Sequence, residues 1–210
     1  MEFNKIIFNV EQGIAKVVLN TPKNLNAIDE QMADEIMEAL KTVEESEEIK
    51  VVVISGEGRG FSAGGDIGMM AKCLKAGDFE ALDGGIKKVG QLSLALKKLS
   101  KPVVASVHGA VAGAGFNIAL ACDFIVASED AKFIQAFVNI GLVPDAGGVY
   151  LLTRALGVNK ANQLIMTGEP VSASDAMKLG LVSTVVSKEE LALATEKFAK
   201  RLSFGPSLAY

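Results

Sequence analysis

The chain has 210 residues and a net charge of −4 at neutral pH, and half of its residues are hydrophobic. This length and composition predict one globular domain with a buried core and argue against a disordered chain. The acidic balance gives no general attraction for phosphates, so no nucleic-acid partner is expected. One histidine and two cysteines are too few for a zinc cluster or a disulfide framework. We therefore expect reduced thiols, a cytoplasmic location and no bound metal.

The first quarter of the chain predicts a hairpin, a helix and a buried strand. Residues 6–10 and 14–19 are strand-like and flank a short turn. Asp29 can cap the next helix, which has apolar residues at helical spacing from position 32 to 43. Residues 51–54 are four β-branched residues in a row, which is typical of a strand buried on both faces.

Helices and strands continue to alternate in the rest of the chain. We expect a helix at 86–98, a strand at 103–107, a helix ending at 121, and strands at 124–127 and 182–186. Residues 102–122 carry no charged side chain, but three glycines interrupt them, so a strand, a loop and a buried helix explain them better than a membrane span. The alternation predicts an α/β domain, and no membrane partner is expected.

Two loops of small residues are candidates for binding a ligand through the backbone. Residues 63–65 are Ala-Gly-Gly and residues 113–115 are Gly-Ala-Gly. Neither loop is a P-loop. The dinucleotide-binding pattern G-x-G-x-x-G could begin at Gly56 and Gly58, but Phe61 stands in place of its third glycine. Small residues leave N–H groups uncovered, and two such groups directed at one oxygen form an oxyanion hole. The alternative is that both loops are merely tight turns.

Asp145 is the candidate catalytic side chain. It lies between a proline and a glycine pair, ahead of a predicted helix. It can cap that helix, or it can be a carboxylate in an apolar pocket, where burial raises the pKa and makes a better base at neutral pH. A nucleophilic triad is poorly supported, because the only histidine, His108, has no suitable partner motif and is expected to be structural.

Several of these segments, in their order and spacing, resemble the enoyl-CoA hydratase/isomerase family, also called the crotonase family. The resemblance extends over essentially the whole chain. It is carried by residues 24–27, 60–66, 108–115, 122–123, 141–148 and 172–182.

This resemblance implies a fold, a substrate class and a set of site residues. The fold is a spiral of repeated β-β-α units, assembled as a homotrimer or a dimer of trimers. The substrate is an acyl-CoA thioester, and no cofactor is needed, since coenzyme A is part of the substrate. The oxyanion-hole N–H groups fall on Ala63 and Ala114. The substrate-binding residues implied are Asn26, Ala27, Ala63, Gly64, Gly65, Asp66, Ile67, Gly113, Ala114, Asn117, Phe137 and Ile140.

Two departures from the family pattern bear on the reaction. Family hydratases activate water with two glutamates, which align here with Asn117 and Phe137. Neither residue can be a general base, so hydration is disfavoured. Asp145 falls where isomerase-type members carry an acidic residue, which implies double-bond isomerisation with Asp145 as acid and base. Phe137 and Ile140 would then keep water away from the enolate.

Other reactions remain open at this stage. Hydration, hydrolysis and ring isomerisation occur among similar proteins, and a related dehalogenase subgroup uses a nearby aspartate as nucleophile. A relative that binds acyl-CoA without catalysis is the alternative from another class. We expect residues 1–190 to form the spiral core and residues 191–210 to begin a C-terminal helical region that is shorter than in family members.

Overall fold

The computed structural model describes residues 3–210, which form ten strands and eight helices. The strands are β1 (Ile6–Glu11), β2 (Ile14–Leu19), β3 (Val51–Gly56), β4 (Gly60–Ser62), β5 (Val103–Val107), β6 (Ala110–Ala112), β7 (Phe124–Ser128), β8 (Lys132–Ile134), β9 (Val171–Ser172) and β10 (Thr184–Val186). The helices are α1 (Glu30–Glu45), α2 (Ile67–Ala76), α3 (Phe79–Lys98), α4 (Ala114–Ala121), α5 (Gly148–Leu156), α6 (Val158–Thr167), α7 (Ala173–Lys178) and α8 (Leu191–Ser203).

The strands form two sheets, and consecutive strands along the chain often belong to different sheets. The larger sheet has the order β1-β2-β3-β5-β7-β10 and is parallel except for the β1–β2 hairpin. The smaller sheet has the order β4-β6-β8-β9, and its first three strands are parallel. Each of the pairs β3–β4, β5–β6 and β7–β8 therefore adds one strand to each sheet. This confirms the predicted α/β class with repeated strand–strand units.

The order of the smaller sheet determines where loops meet. Because β4, β6 and β8 are parallel neighbours, their carboxyl ends lie at one edge of that sheet. The loop after β4 leads into α2, the loop after β6 leads into α4, and the segment after β8 leads through a 3-10 turn (Ala136–Ile140) towards α5. Residues 63–65, 113–115 and 145 are thereby brought to one region.

Local signals explain most of these elements. Asp29 accepts a hydrogen bond from the Met32 N–H at 2.8 Å and begins α1, as the sequence predicts. The β-branched residues of β3 are buried between the neighbouring strands β2 and β5. Helix α4 is buried on nearly every face, which accounts for the charge-free stretch around it. In residues 3–210 no helix is long and apolar enough to span a membrane.

Helix α8 covers part of the outer face of the larger sheet. Its residues Leu191 and Ala199 pack with Val53, Val104 and Val126 in a small core that is separate from the main one. Helix α8 falls within the proposed C-terminal region, and the boundary at residue 190 stays a prediction. The residue pattern did not predict any strand of the smaller sheet (β4, β6, β8 and β9), helix α2 or the first two turns of α3.

Candidate functional site

A narrow pocket lies where the loops of the smaller sheet meet. It brings together Gly65 from the loop after β4, Ala114 from the start of α4, and Asp145 from the turn before α5. Its remaining wall is mostly apolar and comes from the start of α1 and from helices α2 and α3. The lining residues there are Ile28, Asp29, Glu30, Met69, Met70, Leu82, Gly85, Ile86 and Val89.

In the loop after β4, the hydrogen bonds to Ile28 leave one backbone N–H without an acceptor among the described residues. The Ile28 N–H donates to the Gly64 carbonyl at 2.7 Å, and the Asp66 N–H donates to the Ile28 carbonyl at 3.2 Å. In this parallel bridge the N–H of Gly65 points away from Ile28. Within residues 3–210 that N–H has no hydrogen-bond acceptor.

The predicted role of the Ala63 N–H is wrong. That group donates to the Leu25 carbonyl at 2.9 Å, and the next N–H, of Gly64, donates to Ser62 Oγ at 3.1 Å. Both donors are therefore occupied by the protein itself. Gly65 is the residue of this loop whose N–H is free to meet a ligand.

The second loop supplies the free N–H of Ala114. Gly113 has φ +52° and is the N-cap of α4, so Ala114 is the first helical residue and its N–H has no partner within the helix. The two loops touch, because a Cβ built on Gly64 would lie 3.2 Å from the Ala114 nitrogen. The helix N-terminus also favours a negative charge at this position.

Asp145 is partly buried beside these N–H groups. Its Oδ1 atom is inaccessible to solvent and, in the described part of the chain, has no hydrogen-bond partner. Burial raises the pKa of this carboxyl to about 6 from its ordinary value of 3.8. The alternative role as helix cap is excluded, since Gly147 occupies the N-cap position of α5.

The other two carboxylates of the pocket, Asp29 and Glu30, already have partners within the protein. Asp29 caps α1 through the Met32 N–H and lies 2.9 Å from Lys5 Nζ. Glu30 pairs with Lys88, whose pKa is raised by its bonds to Asp34 and Glu30. Asp145 is consequently the carboxylate of this pocket that lacks a cationic partner among the described residues.

Asn117 and Phe137 lie close to the site in different ways. The side chain of Asn117 is fully buried, and its Nδ2 donates to the main-chain carbonyl of Asp145 at 2.9 Å. Phe137 is 7% exposed, and its Cζ lies 3.8 Å from a Cβ built on Gly113. Neither residue lines the pocket directly.

Several predicted substrate-binding residues have other roles or positions. All hydrogen-bonding groups of the buried Asn26 side chain contact the protein backbone, so it is not available to a ligand. Asp66 caps α2 by accepting from the Met69 N–H at 2.9 Å. Ala27, Ile67 and Ile140 do not line the pocket, and the last two are 55% and 49% exposed.

The sequence did not reveal the helical wall formed by α2 and α3. Leu82, Ile86 and Val89 do follow helical spacing, and this signal could have extended the predicted helix towards the N-terminus. The sequence did not single out Met69 and Met70 either. Met70 packs close to Gly65, since a Cβ built on that glycine would lie 2.8 Å from Met70 Cε.

The histidine and the two cysteines lie outside the pocket. His108 Nε2 lies 2.9 Å from the Gly58 carbonyl, which agrees with a structural histidine. Across residues 3–210, no three His, Cys, Asp or Glu residues are grouped to hold a metal ion. Cys73 and Cys122 are both free, and burial raises the pKa of the Cys122 thiol.

Comparison with known proteins identifies the family. Residues 9–210 match the sequence profile of the family described as enoyl-CoA hydratase/isomerase. This chain belongs to the enoyl-CoA hydratase/isomerase family. An enoyl-CoA hydratase from Mycobacterium avium subsp. paratuberculosis has a crystal structure with a TM-score of 0.89 and 34% identity, covering 100% of this chain and 82% of that one. The predicted fold and family are confirmed.

Two curated relatives carry the names of isomerases. The trans-2-decenoyl-[acyl-carrier-protein] isomerase of Streptococcus mutans is 42% identical over 210 residues, which cover 100% of this chain and 80% of that protein. The 1,2-epoxyphenylacetyl-CoA isomerase of Escherichia coli is 36% identical over 208 residues, covering 99% of this chain and 78% of that protein. Together with the hydratase structure, these relatives make the chain an enzyme of the hydratase/isomerase type.

Proposed function

We propose that this enzyme moves a carbon–carbon double bond between the C3–C4 and C2–C3 positions of an unsaturated acyl-CoA thioester. The observation that carries the proposal is a single carboxyl without a cationic partner among the described residues, Asp145, in one pocket with the free N–H groups of Gly65 and Ala114. One carboxylate is sufficient for this reaction, because the same group can remove a proton and return it elsewhere.

Each step of the proposed reaction uses one part of the pocket. The Asp145 carboxylate takes a proton from C2 of a 3-enoyl thioester, and the electron pair of that C–H bond moves into the carbonyl to form an enolate. The N–H groups of Gly65 and Ala114 donate to the enolate oxygen, where each donor contributes on the order of 3 kcal/mol of stabilisation. The protonated Asp145 then returns the proton to C4, which leaves the double bond between C2 and C3. A carboxyl with a pKa of about 6 suits both steps near neutral pH.

The surroundings of the base disfavour hydration. Adding water needs a second group that orients and activates the water, and the two family positions for it hold Asn117 and Phe137. The Asn117 side chain is occupied by the Asp145 carbonyl and the Gln135 amide. Hydration, hydrolysis, ring isomerisation and acyl-CoA binding without turnover are the competing outcomes of the test below.

A second candidate concerns the thioester carrier. The Streptococcus mutans relative is named for an acyl-carrier-protein thioester rather than a coenzyme A thioester. The pocket around Asp145 would meet the same acyl carbons in either case. An acyl-carrier-protein substrate is therefore included as a separate arm of the experiment.

The experiment compares purified wild type with Asp145→Asn on 3-enoyl and 2-enoyl thioesters of both carriers. Ultraviolet absorbance follows the conjugated thioester, and mass spectrometry detects addition of water or release of the acid. We expect isomerisation by the wild type and a loss of at least 1000-fold in Asp145→Asn. Undiminished turnover in the variant, or hydration as the main reaction, would refute the proposal.

We also propose assembly as a homotrimer or a dimer of trimers. The segment from the 3-10 turn through α6 exposes an unusual number of large apolar side chains. They are Val138, Ile140, Leu142, Val143, Val149, Tyr150, Val158 and Met166. Light scattering coupled to size-exclusion chromatography measures the molar mass, and a monomeric mass at micromolar concentration would contradict this assembly.

A further inference from the structure

Two buried side-chain amides form a chain behind Asp145. Gln135, which follows β8, and Asn117, in α4, are 1% and 0% exposed. Gln135 Nε2 donates to Asn117 Oδ1 at 2.8 Å, and Asn117 Nδ2 donates to the Asp145 carbonyl at 2.9 Å. A carbonyl oxygen only accepts, so the last bond fixes the orientation of both amides.

The turn held by this amide chain is constrained. The Asp145 carbonyl also accepts from the Gly148 N–H at 2.8 Å. Ala146 has φ +45°, a left-handed conformation that a residue with a Cβ seldom adopts without support. A Cβ built on Gly148 would lie 2.2 Å from Asn117 Nδ2, so the turn is pressed directly against the amide.

Stability alone does not account for the amide at position 135. Once its Nε2 faces Asn117, the Gln135 Oε1 atom is buried and has no donor among the described residues. A buried acceptor without a partner is destabilising, and an apolar side chain of the same size would avoid it. What the amide provides is a fixed orientation of Asn117.

We propose that Asn117 and Gln135 are positioning residues that hold the Asp145 turn so that its carboxylate faces the N–H groups of Gly65 and Ala114. The inference rests on the proposed role of Asp145 as acid and base. It gives a structural use to the position where family hydratases carry a water-activating glutamate. The amide chain acts through the main chain of Asp145, and neither amide needs to touch the substrate.

The test perturbs both ends of the amide chain and leaves Asn117 and Asp145 in place. Gln135→Met keeps the volume but removes the donor to Asn117, whereas Gly148→Ala pushes the Asn117 amide with its new Cβ. Thr195→Val is the matched control, since it removes the buried bond between Thr195 Oγ1 and Ser106 Oγ far from the pocket. Each protein is measured for kcat, KM, thermal midpoint and the carbon-13 NMR titration of the Asp145 carboxyl without substrate.

We expect kcat to fall at least tenfold in Gln135→Met and Gly148→Ala, with KM within twofold of wild type. The pKa of Asp145 should fall from about 6 towards 3.8 as the carboxyl gains access to water. Thr195→Val should lower the thermal midpoint without changing kcat or this titration. A lowered thermal midpoint with unchanged kcat and titration in both variants would overturn the proposal. Should Asp145→Asn keep full turnover, the proposed function fails, while the titration still reports whether the amide chain holds the carboxyl.

Discussion

The raised pKa of Asp145 predicts that the catalytic group destabilises the fold. The carboxyl has a pKa of about 6 in the folded protein and 3.8 when it is solvated, so the folded state binds the proton more tightly. Ionisation above pH 6 therefore costs up to about 3 kcal/mol of folding free energy, at about 1.4 kcal/mol for each pKa unit. A neutral amide avoids most of this cost but still lacks a partner, so we expect Asp145→Asn to be more stable by about 1–3 kcal/mol at pH 7.5.

Denaturant unfolding of wild type and Asp145→Asn between pH 8 and pH 4.5 measures this difference. Between pH 3.8 and 6 the folded state binds more protons than the unfolded state. The cost of ionised Asp145 to the folding free energy of the wild type therefore shrinks as pH falls through 6, and the unfolding free energies of the two proteins should converge. Asp175→Asn is the opposite control, since Ser172 and Lys178 lower the pKa of that exposed carboxyl and its removal should not stabilise. An Asp145→Asn protein that is no more stable at pH 7.5, or a gain that is independent of pH, would refute the reasoning.

Three further predictions concern activity and the role of Asn26. The pH profile of kcat/KM should fall about tenfold per pH unit below pH 6, because Asp145 must be ionised to accept a proton, and a profile that is flat to pH 5 contradicts this. Ala114→Pro removes one N–H at a helix position where proline fits, so kcat should fall by about 10²–10³-fold, whereas Ala114→Ser, which keeps the N–H, should stay near wild type. Equal rates for the two variants would exclude that donor. Asn26→Ala should lower the unfolding free energy by about 3 kcal/mol with KM unchanged, and a raised KM in the folded variant would instead indicate a substrate contact.

Elements with strong local signals could be predicted from the sequence, and those held by packing could not. The four β-branched residues of β3 and the Asp29 cap of α1 each determine a structure within a few residues. Helix α2 and the start of α3 contain several glycines and only moderate apolar periodicity, so their propensity is weak. Caps from Asp66 and Asp78 and contacts with neighbouring helices stabilise them instead.

In the candidate site, the catalytic side chain could be predicted from the sequence, whereas one of the backbone donors could not. The neighbours of Asp145 in sequence, Pro144 and a glycine pair, make it a candidate, and the family resemblance favours its role as a base over that of a helix cap. Which N–H of this loop is free could not be predicted from the sequence, since residues 63–65 are all small and look equivalent. The bridge to Ile28 and the bond from Ala63 to Leu25 decide which N–H is free, and both are tertiary contacts.

Asn117 connects the fold to the choice of reaction. A glutamate at this position could activate water only if its carboxylate faced the substrate, whereas the amide faces the Asp145 main chain and its oxygen is taken by Gln135. The space there is also filled, because Gly148 is already too close for a Cβ. Water activation and support of the Asp145 turn therefore compete for one buried position. A chain that uses the position for support retains a single carboxylate in the pocket without a cationic partner among the described residues, and proton transfer between two carbons is a reaction that one carboxylate can complete.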